Sequence, residues 1–304
     1  MGGLSTCRCE IAVDFFARQV QGMTINGAVS AWRLSLSLAT VSAAAIVSAA
    51  AQTPNVPPGK GLVLHEQRQV DRFVVQQWVS EASPDVSASG LCECVTVVYE
   101  GNRQILNLGL DYGITRVESS GSDITGDGRA ELVVTKHSGG AHCCESTTIY
   151  SVEGVARDIL SVSTGNCPGE LIDLDNDGVP EFQTCDDTFA NAFCSFAFSP
   201  MPAVVLAYEK ARRAYAVATP RYLNPSAQQL AASVATARKA MEENPRDADI
   251  YRCSALAPVL SLIYGGRVDE GLALLRLLYR RPDALQLEHK TMQLVRKSTL
   301  SIGQ

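Results

Sequence analysis

Over residues 65–81, Val70, Phe73, Val74, Gln77 and Trp78 recur at i, i+3, i+4, i+7 and i+8. That period predicts one amphipathic helix, ended by Ser83 and Pro84. From residue 91 to 222 the texture changes to short β-rich runs separated by Gly, Asn and Asp. Three tyrosines bring out a repeat. Val97-Val98-Tyr99-Glu100 leads through Gly101-Asn102 into Ile105-Leu106. Thr148-Ile149-Tyr150-Ser151 leads through Glu153-Gly154 into Ile159-Leu160. Leu206-Ala207-Tyr208-Glu209 leads into Tyr215-Ala216-Val217. Each reads as strand, turn, strand. The third is rich in Ala, Glu, Lys and Arg and also suits a helix. Its likeness to the other two favours the hairpin.

A second repeated element sits between these hairpins. Asp123, Thr125, Asp127, Gly128 and Glu131 precede Leu132-Val133-Val134, and Asp173, Asp175, Asp177, Gly178 and Glu181 precede Phe182. The loops and the first two tyrosines both repeat at about 50 residues, a period that points to propeller-like or sheet-array architecture. Three hairpins are too few to close a ring. The expected β region is an open, twisted antiparallel sheet or a partial propeller with Asp-rich loops.

From Pro225 the pattern is helical. Ser226 caps a helix running to Glu243, and Asn244-Pro245 breaks it. A second helix runs from Ala248 to Gly265-Gly266, a third from Val268 to Arg280, and Pro282-Asp283 opens a fourth. Breaks this short make antiparallel neighbours, hence a small C-terminal helical bundle. The fold class is α+β. Residues 1–51 are a signal-peptide region, 52–64 a linker, 65–224 the predicted helix plus the loop-repeat domain, and 225–304 the helical module.

The amino terminus changes the picture of where the chain works. Arg33 precedes an uncharged apolar run, Leu34 to Ser48, and Ala49-Ala50-Ala51 offers small residues before Gln52. That is the layout of a secretory signal peptide, with Met23 better placed than Met1 as its start. Periplasmic or secreted localisation is expected, with cleavage near Ala51/Gln52. No run of eighteen or more purely apolar residues would leave a mature membrane span. With 32 acidic and 26 basic residues the chain has a formal net charge of −6, which argues against a general nucleic-acid binder. The expected partner is an envelope or extracellular ligand.

Each acidic loop offers oxygens at relative positions 1, 3, 5 and 9, with glycine at position 6. These are Asp123, Thr125, Asp127 and Glu131 in the first loop, and Asp173, Asp175, Asp177 and Glu181 in the second. The glycine lets the backbone bend so that position 7, Arg129 or Val179, turns its carbonyl inward. A cage of oxygens suits Ca²⁺. An EF-hand would need Glu at position 12, where Val134 and Thr184 stand. The plain alternative is a pair of Asx-turns capping backbone N–H groups without metal. With a carboxylate at position 3, the second loop is expected to bind more tightly.

These residues carry a resemblance. The two loops are similar to the cation-binding loops of FG-GAP/VCBS-type repeats, known from integrin-like propellers. The adjoining Ser138-Gly139-Gly140-Ala141-His142-Cys143-Cys144 resembles a motif of exported bacterial proteins that carry such a loop. The helical tail is faintly similar to tetratricopeptide-like hairpins from Leu262 onward. The resemblance implies calcium-stabilised β structure and export, and no particular reaction. The chain departs from true propellers in having too few repeats.

Cleavage would leave eight cysteines, an even number that reads as a disulfide framework in an exported chain. Cys92 and Cys94 share a strand face and are placed to receive Cys143 and Cys144. Cys167 and Cys185 flank the second loop and either pair or bond elsewhere in the β region. Cys194 and Cys253 would then staple the helical tail to the sheet. His137, His142, Cys143 and Cys144 also admit a soft-metal or thiol-redox reading. No nucleophile elbow, Walker loop, dinucleotide fingerprint or His-Glu-x-x-His motif appears. A periplasmic hydrolase or redox protein would have to use the His137–Cys144 segment. His65 and His289 read as surface residues of helices. The leading expectation is a calcium-binding, disulfide-stapled β protein that is not an enzyme.

Overall fold

Seven strands follow one another in the chain and lie side by side in the same order. The structure is a computed structural model, and it describes residues 54–82, 91–119, 123–140 and 144–301. The strands are β1 (Leu62–Val70), β2 (Phe73–Ser80), β3 (Cys92–Glu100), β4 (Arg103–Ser119), β5 (Ala130–His137), β6 (Glu145–Glu153) and β7 (Val155–Gly165). They form one open antiparallel sheet in the order β1 to β7. A second antiparallel sheet, in the order β11-β10-β9-β8, contains β8 (Glu170–Ile172), β9 (Glu181–Cys185), β10 (Ala203–Glu209) and β11 (Ala214–Val217). Five helices follow: α1 (Thr219–Tyr222), α2 (Ala227–Glu243), α3 (Ala248–Tyr264), α4 (Val268–Leu278) and α5 (Ala284–Lys297). The fold is α+β with an open sheet.

The helix expected over 65–81 is not there. Those residues form the β1–β2 hairpin, with Val70 paired to Phe73 across a two-residue turn. Asp71 takes the left-handed conformation (φ 54°) that such a tight turn needs. The misleading period arose because β2 is a central strand buried on both faces. Phe73 and Val75 enter one apolar cluster, Val74 and Trp78 another. A short apolar run of that kind satisfies helical and strand spacing alike. β1 also takes up the end of the expected 52–64 linker, and His65 is an exposed residue of β1 rather than of a helix. The expected helix end, Ser83-Pro84, lies outside the described residues, as does the expected signal-peptide region, residues 1–51.

All three tyrosine repeats are hairpins. Tyr99 faces Gln104 across β3–β4, Tyr150 faces Asp158 across β6–β7, and Tyr208 faces Tyr215 across β10–β11. In the third, Arg212 and Arg213 N–H both donate to the Glu209 carbonyl, a single helical turn that stops at Arg213, whose φ is 52°.

β4 is shared between two pairings. Its first part, to Gly113, bonds to β3, and its second part, from Ile114, bonds to β5. Gly113 is the change-over, with φ 143°, and a β-carbon there would lie 2.5 Å from the carbonyl oxygen of His137.

The tail has the four long helices that its caps predict, the third ending at Leu278 rather than Arg280. Ser226 accepts from Gln229 N–H while the Gln229 side chain accepts from Ser226 N–H, a reciprocal capping box. α3 is the central helix. Its Leu256, Leu260 and Ile263 join Ile149 and Leu160 of the large sheet and Phe182, Val204 and Leu206 of the small one in a single cluster. Each such side chain, fully buried, stabilises by roughly 1.5–3 kcal/mol. Inside this contact the buried Asp186 carboxylate accepts the hydroxyls of Tyr264 and Ser298, and caps Thr188 N–H. Among the described residues no helix is long and apolar enough to cross a membrane.

Three disulfides are described. Cys167–Cys185 is one of the two outcomes left open for those residues, and Cys194–Cys253 is the expected staple. Cys92 and Cys94 bond to each other, not to Cys143 and Cys144. Alternate residues of one strand point the same way, and their Cα separation of 5.4 Å lies within disulfide reach. Cys144 is itself disulfide-bonded. Cys143 lies outside the described residues.

Candidate metal centre

Both acidic loops lead into a strand: the first into β5, the second from β8 into β9. Their internal bonding follows one plan. At position 1, Asp123 accepts from the N–H groups of Asp127 and Gly128, as Asp173 does from those of Asp177 and Gly178. At position 5, Asp127 accepts from Arg129 N–H at 3.1 Å and Asp177 from Val179 N–H at 2.8 Å. At position 9, Glu131 reaches back to Ile124 N–H and Glu181 to Leu174 N–H, both at 2.9 Å. Positions 4 and 6 are left-handed in both: Gly126 (φ 68°) and Asn176 (φ 61°), then Gly128 (φ 83°) and Gly178 (φ 86°). Identical offsets thus produce identical turns.

The carboxylates converge. In the first loop Asp123, Asp127 and Glu131 each bring an oxygen within 4.8 Å of the others, as do Asp173, Asp175 and Asp177 in the second. Acidic oxygens this close repel one another unless a cation or a proton sits among them. Either group could hold a metal ion.

Their environments differ. Thr125 and Glu131 are fully buried, whereas Asp173, Asp175 and Asp177 are exposed. Burial pushes the Glu131 carboxyl up to about 7, opposed by the Ile124 N–H and reinforced by the charges of Asp123 and Asp127. Asp123 moves the other way. Burial tends to raise its pKa, but the backbone N–H groups of Gly128, Asp127 and Thr125 together hold it below the ordinary range.

Arginines attend both loops. Arg129, expected to offer its carbonyl, also pairs its guanidinium with Asp127 at 2.7 Å and with Glu153 at 2.9 Å. Arg221 of α1 pairs with Asp175 at 2.6 Å, and the Tyr222 hydroxyl lies 3.1 Å from Asp175 and 2.9 Å from Glu181. Burial first, then donation to Glu181 and Asp175, raises the Tyr222 pKa above the ordinary phenol value. Tyr215 of β11 donates to the Pro180 carbonyl at 3.1 Å, and the charges of Glu131 and Glu181 add to burial in raising its pKa. Sequence spacing could not reveal Arg221, Tyr222 or Tyr215, which arrive from a distant hairpin and helix. Glu181 lies outside the group formed by Asp173, Asp175 and Asp177, and accepts from Leu174 N–H and the Tyr222 hydroxyl.

Comparison with protein-family models, with curated proteins and with solved structures finds no match for this chain.

The His137 segment is assembled differently. His137 ends β5, and its Nδ1 accepts from Gly139 N–H at 2.9 Å. It borders a cavity of about 170 Å³ with Asp111, Tyr112, Lys136 and Cys144, in which Lys136 pairs with Asp111 at 2.5 Å. Cys144, in its disulfide, offers no thiolate there. His142 lies outside the described residues. A larger cleft, about 490 Å³, lies between the edge strands β7 and β11 and is also lined by Thr299 and Leu300.

Proposed function

We propose that this is an exported, disulfide-stapled protein whose two acidic loops bind calcium, and whose role in the periplasm or outside the cell is binding rather than catalysis. The observation that carries the reading is the shared bonding plan of the loops, with a converging carboxylate group in each. Hard oxygen ligands on a flexible loop suit Ca²⁺, which accepts six to eight oxygens in irregular geometry, better than Mg²⁺, which demands a near-ideal octahedron. In this reading position 1, 3, 5 and 9 side chains and the position 7 carbonyls of Arg129 and Val179 are the ligands, as in FG-GAP/VCBS-type loops. The apolar run before Gln52 supports export.

The test is metal analysis and calcium titration of the secreted chain, with its first residue determined. Two calcium ions per chain and a start near Gln52 are expected. A metal-free protein whose melting temperature ignores chelator would reduce both loops to Asx-turns. A chain retaining residues 23–48 would overturn the export assignment.

A further inference from the structure

We infer that Ser151 of β6 is a binding residue of the first acidic loop, its buried hydroxyl holding a water molecule carried by the cation that the loop takes up. The inference rests on the calcium reading above and adds to that site a residue from another strand.

Ser151 is only 3% exposed, and its Oγ has no hydrogen-bond partner among the described residues. A hydroxyl kept from water without a partner is costly, so one that persists calls for a use. Its neighbours show where it is aimed. Ser151 stands directly opposite Glu131 in the β5–β6 ladder. Opposed residues of an antiparallel pair turn their side chains to the same face, with β-carbons about 4.5–5.5 Å apart. On its other side Ser151 faces Arg157, whose guanidinium is turned to the Arg213 carbonyl at 3.0 Å. Glu153, next on the same face of β6, pairs with Arg129 and Arg213. Glu131 is the polar neighbour whose capacity is not spent. Its Oε2 accepts from Ile124 N–H at 2.9 Å. The Thr125 hydroxyl is 3.4 Å from its Oε1 and a little nearer Asp123 Oδ1, at 3.3 Å.

A buried carboxylate oxygen and a buried hydroxyl therefore face one space with bonding capacity left over, and the two do not bond to each other. A cation among Asp123, Asp127 and Glu131 uses the first. Calcium commonly keeps water among its six to eight ligands, and such a water uses the second. The second loop has no counterpart, because Glu181 is opposed by the hydrocarbon side chain of Ile172. Ser151 thus belongs to the first site alone.

Calcium titration of the secreted Asp177→Ala chain, whose second loop is disabled, with and without Ser151→Ala tests this. Ser151→Ala should weaken the remaining site about tenfold, the usual cost of losing a group that supports a metal's ligand shell. In chelator the same change should leave the melting temperature unchanged or raise it, because alanine removes a buried hydroxyl that has no protein partner. Those two responses separate ligand binding from packing, since a serine needed only for packing would lower the melt in chelator as much as in calcium. In an Asp127→Ala chain, where the first loop is disabled, Ser151→Ala should leave calcium binding unchanged. An unchanged affinity in the Asp177→Ala background, an equal loss of melting temperature with and without calcium, or an equal loss of affinity in both backgrounds would overturn the inference and leave the calcium reading intact. An Asp177→Ala chain that binds no calcium while the wild type binds it would overturn the inference and confine the calcium reading to the second loop. A wild-type chain that takes up no calcium would overturn both.

Discussion

Val179 of the second acidic loop packs over Gly126 of the first: a β-carbon at Gly126 would lie 3.4 Å from a Val179 methyl. Loops that are 50 residues apart in the chain are therefore neighbours. Tyr215 sits close to the position 9 glutamates of both, and its pKa responds to each. The repeat of the sequence has become a paired acidic centre at the junction of the two sheets. What each loop contributes can be separated by experiment.

Chelator should lower the melting temperature of the wild-type chain, since binding to the native state alone stabilises by ~2.7 kcal/mol when calcium is a hundredfold above Kd. Asp177→Ala should reduce that response more than Asp127→Ala. Asp127 already shares an oxygen with Arg129 at 2.7 Å, whereas Asp177 only caps Val179 N–H. Thermal melts of the three proteins with and without chelator check the order. A larger loss in Asp127→Ala would reverse the ranking.

Glu131 should give the calcium-free protein a distinctive pH dependence. Its folded pKa, about 7, exceeds the ordinary 4.5, so the folded chain holds that proton more tightly than the unfolded one. The contribution is full below pH 4.5 and is lost as pH rises through 7. Urea melts in chelator should show stability falling by on the order of 2–3 kcal/mol across that window. Glu131→Gln should show a flatter profile. With calcium present, metal replaces the proton and affinity should rise with pH over the same range. An identical slope in Glu131→Gln would remove Glu131 as its source.

The Cys194–Cys253 bond closes 59 residues and joins the segment after β9 to α3. In the chain-entropy model a loop of that length contributes about 4 kcal/mol. Replacing both cysteines by serine should lower unfolding free energy by that order, more than the same change at Cys167 and Cys185, which close 18 residues. Denaturant titrations compare the two. Peptide mapping that finds Cys253 as a free thiol would dispose of the staple.

Gly113→Ala should be among the most damaging single changes. The added carbon would meet the His137 carbonyl oxygen at 2.5 Å, and the backbone there has φ 143°. Strain of this kind costs about 1–3 kcal/mol before the clash with fixed backbone is counted. Gly101→Ala also carries a left-handed φ but meets nothing within 4 Å, so its loss should be smaller. Equal melting temperatures for the two variants would show that the change-over in β4 tolerates a side chain.

The helical tail was legible because its boundaries are local. Ser226, Asn244-Pro245 and the Gly265-Gly266 pair act on backbone groups within a turn or so of themselves. The three tyrosine hairpins and the acidic loops were legible for the same reason: in the loops, Asp at position 1 and Gly at position 6 set a turn through contacts no more than five residues long. Even the Cys167–Cys185 pair lies across one short loop. Tertiary structure decided the rest. Residues 65–81 became two strands because β2 found partners on both edges, and neighbours on both faces, that no window of sequence contains. Cys92 and Cys94 bonded to each other because strand geometry set them side by side. Arg221, Tyr222 and Tyr215 reached the acidic loops only through the folding back of β10, β11 and α1. Sequence spacing reports which residues can form a turn. Which charges and hydroxyls then surround that turn depends on chain paths tens of residues away.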